Sequence, residues 1–337
     1  MNHARRIGVV GAGLIGGALI KGFLPRGGGG AGTGGVWERD PQVRARLSED
    51  GIPVVDDPTT LARAVDVVFI AVPPAATAQV AASVLEASPT VIVSDTASVK
   101  ESVLEALAAR VGPGLIARFV PGHPLAGGEL PGWEHADAAL LAGALWALCP
   151  QAGRTDPRAT VAVIDALTRL DGVRVLAVDA HEHDVVLAHT SHMPHLAASA
   201  LMRTICADRS ALRVCLSGGA LRDGTRVAGA DADLWVEILR DNAAHTVDAL
   251  DGLIARLGHL RGLLAEGRWP ELADEWRAGA DARASLVAAR WSPPGEPRRC
   301  VCEEPTVEAL LELGARGVSI ARVVRGEAPW QFDVVGG

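Results

Sequence analysis

The sequence predicts an α/β chain, a doubly wound parallel sheet followed by an all-α helical domain, and three observations predict it. An apolar run from Arg6 to Val10 ends in the glycine pattern Gly11-Ala12-Gly13-Leu14-Ile15-Gly16, and an apolar-periodic stretch follows from Leu14 to Leu24. Continuous apolar runs then alternate with helical stretches as far as Val120. Beyond Leu176 the character changes: from Asp179 to Arg290 the segments are long, Ala/Leu-rich and helical, with no convincing strand.

Each element follows from local chemistry. Strand, glycine turn and helix in immediate succession is the opening of a Rossmann-type dinucleotide fold. Gly27 to Gly35 is glycine-rich and low in complexity, which reads as a flexible loop before a second strand, Val36-Trp37-Glu38. Pro41 to Leu47 reads as a helix. Asp66 to Val72 is an uninterrupted apolar run closed by Pro73-Pro74, the mark of a strand buried on both faces. Thr90–Ser94 and Ala117–Val120 repeat it, and strands alternating with helices in this order imply a parallel sheet. A boundary near residue 177 divides the chain into a dinucleotide-binding domain (1–177), a helical substrate and dimerisation domain (178–291) and a tail (292–337). Ser292 to Pro297 is a linker, followed by a helix (Thr306–Leu313) and one or two strands (Val318–Val324, Phe332–Val335). This tail is too short to fold independently and reads as a packing appendage, with half of a regulatory module as the alternative.

A length of 337 residues suits two cores. The longest apolar run, Ala138 to Cys149, is too short to span a bilayer, and Met1 to Ile7 has no signal-peptide core, so a cytoplasmic protein without membrane partners is expected. Five scattered cysteines form no C-x-x-C pair and argue against a disulfide framework; Cys300 and Cys302 read as incidental. A net charge of −8 with no basic stripe argues against nucleic-acid binding, so local cations must draw in any anionic substrate. Lys21 and Lys100 are the only lysines and tyrosine is absent, which restricts Schiff-base chemistry and excludes a tyrosine acid.

The cofactor site is expected at Gly11, Gly13, Leu14, Ile15 and Gly16. There the glycines allow a tight turn, backbone approach to a pyrophosphate and close helix packing, and the helix N-terminus faces the phosphates. Glu38, at the end of the second strand, suits ribose hydroxyls and repels a 2′-phosphate, favouring NAD. Arg39 beside it leaves NADP open. Asp95-Thr96-Ala97-Ser98-Val99-Lys100 lies at the carboxyl edge of the sheet, where Ser98 reads as an N-cap with Glu101 completing a capping box, either alone or together with a substrate contact. Lys100 reads as a solvated helix charge. His123, in a Gly-His-Pro turn at the same edge, is a candidate base. His181, His183, His189, His192 and His195 cluster with Glu182 and Asp184, but Met193-Pro194 stands where H-E-x-x-H carries its carboxylate, so no metal is expected. Ser217 to Ala228 places Arg222 and Arg226 among turn-forming glycines, an anion clamp for a small carboxylate.

From Gly8 to about Arg290 the chain resembles the prephenate/arogenate dehydrogenases. The motifs that carry the resemblance are Gly11 to Gly17, Asp95 to Lys100, His123-Pro124-Leu125-Ala126-Gly127, Ser191-His192-Met193-Pro194-His195, and Gly218-Gly219 through Arg222-Asp223 to Thr225-Arg226-Val227-Ala228. Asp231, Leu234-Trp235 and Asn242 follow in the same order. The departures are Ala18 where Ser is common, a longer Gly27–Gly35 loop, and a tail without counterpart. The resemblance implies NAD(P)-dependent oxidative decarboxylation of a cyclohexadiene acid by a homodimer joined through its helical domain. It makes His123 the catalytic base, Ser98 a partner of the substrate hydroxyl or of His123, and Arg226 the carboxylate partner with Arg222 in reserve. His192 is assigned to the side-chain end of the substrate. Prephenate is the expected substrate, with arogenate or an amino-substituted prephenate as alternatives. A β-hydroxyacid dehydrogenase would need a lysine that the helical domain lacks, and a non-enzymatic NAD sensor would not need His123 and Arg226 together.

Overall fold

The computed structural model describes residues 5–23, 33–128, 130–208, 210–291, 295–324 and 329–336. Five parallel strands form the first sheet: β1 (Ile7–Val10), β2 (Thr33–Trp37), β3 (Val67–Ile70), β4 (Ile92–Asp95) and β5 (Phe119–Val120), in the order β2-β1-β3-β4-β5. Every residue of β1 and β3 is buried, as uninterrupted Val/Ile-rich runs require when helices cover both faces. The chain leaves β1 to one side for β2 and returns to the other for β3, so the ligand crevice opens at the carboxyl ends of β1 and β3. The helices Pro41–Glu49, Pro58–Ala64 and Pro157–Leu167 share one start signal. An aspartate (Asp40, Asp57, Asp156) caps the first N–H groups, and a proline with its preset φ stands immediately after.

A second sheet of six strands departs from the sequence reading. It contains β6 (Gly122–Pro124), β7 (Leu145–Leu148), β8 (Arg174–Ala177), β9 (Arg298–Cys302), β10 (Ser319–Val324) and β11 (Trp330–Val335), in the order β6-β7-β8-β10-β11-β9. Only β7 and β8 run parallel, joined by the helix Pro157–Leu167; the other pairs are antiparallel. The tail is therefore no appendage: it supplies half the strands of this sheet, and its helix Val307–Ala315 lies against β8. Phe69 of β3 meets Trp146 of β7 edge-on at 6.1 Å, so one apolar core runs under both sheets.

The compact units differ from the expected division. The first comprises Met1–Asp184, Gly229–Asp241 and Pro297–Gly337; the second comprises Val185–Ala228 and Asn242–Glu296. The first compact unit thus runs on to Asp184, past the expected boundary near 177, and the tail joins it through its strands. Within the Gly27–Gly35 loop, residues 27–32 lie outside the described residues, while Gly34 and Gly35 already belong to β2. Of the Ser292–Pro297 linker, residues 292–294 also lie outside them.

The second unit is helical. Its longest helices are Ala243–Glu266, ended by Gly267 in the left-handed conformation (φ 67°), and Trp269–Leu286. Ser217–Ala228 is not a glycine turn: Gly219–Thr225 is an α-helix and Arg226–Gly229 a 3-10 turn. Among the described residues no helix is long and apolar enough to cross a membrane.

Candidate active site

The crevice between β1 and β3 is lined by the glycine turn. Gly11 has φ +92°, and a Cβ there would lie 2.4 Å from the carbonyl oxygen of Ala71, just past β3. Only glycine fits. A Cβ on Gly16 would lie 2.0 Å from the Gly11 oxygen, so the helix Leu14–Phe23 starts as close to the turn as backbone allows. Gly13 faces open space, leaving room for a pyrophosphate beside the helix N-terminus. Glu38 stands against the same turn: its Oε2 accepts from the Ala12 N–H at 2.6 Å and its Oε1 from Asp40 N–H at 2.9 Å. Each oxygen keeps a second lone pair for a ribose hydroxyl. Arg39 is exposed. These residues fit a dinucleotide with an unphosphorylated ribose.

Beyond the crevice, β4 ends at Asp95, which is fully buried and pairs at 2.6 Å with an equally buried Lys100. Lys100 is thus not the solvated charge that its place near a helix start suggests. Its Nζ also donates to the Gly122 carbonyl at 2.7 Å, while Gly122 N–H donates to Asp95 Oδ1 at 2.9 Å. The ion pair therefore grips both backbone polar groups of Gly122, the residue that precedes His123. A Cβ on Gly122 would come within 2.8 Å of Asp95 O and of Trp146 Nε1, which is why a glycine stands there.

His123 lies on β6, opposite Ala147 of β7, rather than in a turn. It is 8% exposed. Its Nδ1 is 3.0 Å from His183 Nε2, and His183 Nδ1 is 2.7 Å from Asp184 Oδ1. Asp184 also accepts from the backbone N–H groups of Lys100 and Glu101, at 2.9 Å each at the shortest. It caps the helix Glu101–Ala108 from a distant part of the sequence, so Ser98 is not that helix's cap. Ser98 instead sits half-buried in the bend after β4. Downstream of His123 the chain passes the dinucleotide helix, where a Cβ on Gly128 would lie 3.2 Å from Leu14 Cδ2. Glu129 lies outside the described residues. Burial pushes the thiol of Cys149, at the end of β7, well above its usual range.

In the second unit, the π-helical turn Ala188–His192 continues without a break into the helix Met193–Ile205, and Pro194, just past the π turn, brings no N–H to the hydrogen-bond ladder. His192 is buried, with its Nδ1 3.1 Å from Asn242 Nδ2 and 3.4 Å from Thr246 Oγ1. These contacts tie His192 to the start of the helix Ala243–Glu266. His189 and His195 each bond their own helix, at Val185 O and Ser191 O. His195 is half-buried; burial first, and then the charge of Arg226, hold its pKa below the usual value. Arg226 is exposed on the 3-10 turn. Arg222 is ion-paired with Asp223 at 3.1 Å and lines a cleft of about 510 Å³ with Met202, Cys206, Arg213 and Leu221. His183, Asp184, Asp95 and the true setting of Lys100 escaped the sequence reading. His183-Asp184 was visible only as part of a His-rich run.

Comparison with known proteins agrees with this geometry. A family model described as prephenate dehydrogenase, nucleotide-binding domain, matches residues 35–176, and one described as prephenate dehydrogenase, dimerization domain, matches residues 179–277. The chain is 35% identical over 247 residues to the cyclohexadienyl dehydrogenase of Zymomonas mobilis, covering 72% of this chain and 83% of that protein. Its fold matches prephenate dehydrogenase from A. aeolicus in complex with hydroxyphenyl propionate and NAD+ (TM-score 0.75, 25% identity, 85% of this chain and 99% of that one). It also matches Synechocystis arogenate dehydrogenase (TM-score 0.71, 26% identity, 84% and 100%). With two domain models matched in order and most of a relative's length covered at this identity, the chain belongs to the prephenate dehydrogenase family.

Proposed function

We propose that this protein catalyses the NAD-dependent oxidative decarboxylation of prephenate to 4-hydroxyphenylpyruvate, the step that forms the aromatic ring in tyrosine biosynthesis. The observation that carries the reading is the buried His123, held at the carboxyl edge of a dinucleotide-binding sheet by the Asp95–Lys100 clamp on Gly122. Gly11, Gly13, Leu14, Ile15 and Gly16 would hold the pyrophosphate, and Glu38 the adenosine ribose. Bound there, the nicotinamide supplies a two-electron hydride acceptor.

His123 takes the proton of the substrate's ring hydroxyl as the hydroxyl-bearing carbon is oxidised. Ser98 holds the same hydroxyl. Arg226 is assigned to the ring carboxylate, where its planar fork suits bidentate binding. Loss of carbon dioxide then makes the ring aromatic and the reaction irreversible. His192 keeps the role at the side-chain end of the substrate, with His195, half-buried and with its pKa lowered by burial and by Arg226, one turn further on. A 2′-phosphate would meet the Glu38 carboxylate, so NAD is the preferred cofactor. Five free thiols suit a reducing cytoplasm.

The second unit leaves large apolar side chains in water, including Leu212, Val214 and Leu216, the last 82% exposed. We assign them to a homodimer interface, read by sedimentation of the free chain; a monomer at micromolar concentration would refute it. Arogenate is the second substrate reading, favoured by the fold shared with an arogenate dehydrogenase. NADH formation measured with prephenate and with arogenate tests the proposal. The expected result is a higher kcat/KM for prephenate, and no turnover of either acid overturns it.

A further inference from the structure

We propose that His183 and Asp184 are positioning residues that fix the tautomer of His123, through the buried chain Asp184–His183–His123. The inference rests on the functional reading only in making His123 the base. The three side chains are 1%, 2% and 8% exposed, so water does not compete for their hydrogen bonds. Both oxygens of Asp184 accept from backbone N–H groups at the start of the helix Glu101–Ala108. The carboxylate is therefore an acceptor with nothing to donate, and the helix N-terminus favours its charge.

Donor and acceptor logic then runs in one direction. At 2.7 Å from Asp184 Oδ1, His183 Nδ1 must carry a proton, because a bare nitrogen there would set two lone pairs against each other. A neutral His183 protonated at Nδ1 presents its lone pair at Nε2. That atom is 3.0 Å from His123 Nδ1, which must in turn donate. A neutral His123 protonated at Nδ1 carries its lone pair on Nε2, the only ring nitrogen able to take a substrate proton. When Nε2 takes that proton, the ring becomes an imidazolium whose Nδ1–H···Nε2 bond is charge-assisted, with the Asp184 carboxylate one imidazole further on. The proton count balances within the chain: one proton is gained at His123 Nε2, and none is lost to solvent.

The test uses the full-length protein labelled with nitrogen-15 histidine, in which the shifts of ring nitrogens report which one carries the proton. A His123→Asn spectrum assigns the His123 signals. The expected result is Nδ1–H on His123 in the wild type. In Asp184→Asn, with the amide N–H turned to His183, the proton moves to Nε2 of His123. Turnover should fall about 10²- to 10⁴-fold, with KM changed less than about threefold. His183→Leu should lower kcat similarly, and His183→Gln should recover part of it, because its amide oxygen can still accept from His123 Nδ1. NAD binding and the melting midpoint check that each variant folds. If Asp184→Asn does not fold, His183→Leu and His183→Gln carry the kinetic arm, and the wild-type spectrum carries the other. A wild-type His123 protonated at Nε2, or a folded His183→Leu within about twofold of wild-type kcat, overturns the proposal. Because the tautomer is read without substrate, absence of dehydrogenase activity would overturn the functional reading and leave this inference to the spectrum.

Discussion

Replacing Lys100 with Met removes an ammonium from a site with no water to take its place. Lys100 and Asp95 are both 0% exposed, and Nζ is the group that neutralises the Asp95 carboxylate at 2.6 Å. After the substitution Asp95 keeps two neutral donors, Gly122 N–H and Ala97 N–H, and the Gly122 carbonyl loses the donor at 2.7 Å. Breaking a buried ion pair from one side typically costs about 3–5 kcal/mol, because the remaining charge stays desolvated. For a protein of this size that lowers the melting midpoint by about 4–7 °C. Urea titration followed by tryptophan fluorescence and calorimetry would measure it. Adding Asp95→Leu to Lys100→Met should recover part of the loss, since the orphaned carboxylate goes with it, giving a coupling of about 1–3 kcal/mol. Lys100→Met within about 0.5 kcal/mol of wild type, or strict additivity in the double variant, would refute the claim that the pair clamps Gly122 from a dry interior.

His123→Asn should preserve KM and lower kcat by about 10²–10⁴, the contribution of a positioned acid–base group; near-normal turnover would make His123 structural. Glu38→Ser frees the Ala12 N–H and removes the charge that a 2′-phosphate would meet, so kcat/KM should shift toward NADP with Arg39 at hand; a wild type that already prefers NADP refutes this role. Arg226→Ala should raise KM for the acid about 10- to 150-fold, from the roughly 1.5–3 kcal/mol of a charge-assisted hydrogen bond, with Arg226→Lys rescuing only part. Loss of NAD affinity instead would move the carboxylate role to Arg222. His195 is held neutral in the folded protein, so its contribution to stability is intact above the unfolded value of 6.5 and is lost as pH falls through and below it. Urea midpoints of wild type should therefore drop more than those of His195→Gln between about pH 7 and pH 5, and parallel curves would count against the shift.

How much was legible in the sequence depends on whether the cause of each feature is local. The turn at Gly11 to Gly16 was readable because its constraints lie within six residues and one neighbouring strand. β3 was readable because a strand buried on both faces is apolar at every position. Of the second sheet only β10 and β11 were readable, as the apolar runs Val318–Val324 and Phe332–Val335. β6 is three residues long, β7 is a few residues inside the apolar run Ala138–Cys149, and β9 opens with Arg298-Arg299. The pairing of β8 with β10 joins Val175 to Ile320, a contact that no periodicity records. Gly218, Gly219 and Gly224 signalled a turn by propensity, yet the segment is helical, with Leu221 and Thr225 on one side lining the cleft. Which histidine of Ser191–His195 faces inward was hidden for another reason. The π turn shifts the helix register just before Met193, so i, i+3 spacing no longer gives the shared face.

The site's dependence on one strand-to-helix junction follows from Lys100 acting twice. Its side chain, with Asp95, holds the peptide before His123, while its backbone N–H helps hold Asp184, which orients His183 behind the His123 ring. Backbone and ring of the proposed base are thus referenced to the same residue at the start of the helix Glu101–Ala108, just beyond β4 of the parallel sheet that also carries the dinucleotide turn. A base placed this way needs no reorganisation when the substrate hydroxyl arrives, and preorganisation of that kind lowers a barrier without tightening ground-state binding. Changes at Asp95, Lys100, His183 or Asp184 should therefore appear in kcat before they appear in KM, although none of the four is assigned a contact with the substrate.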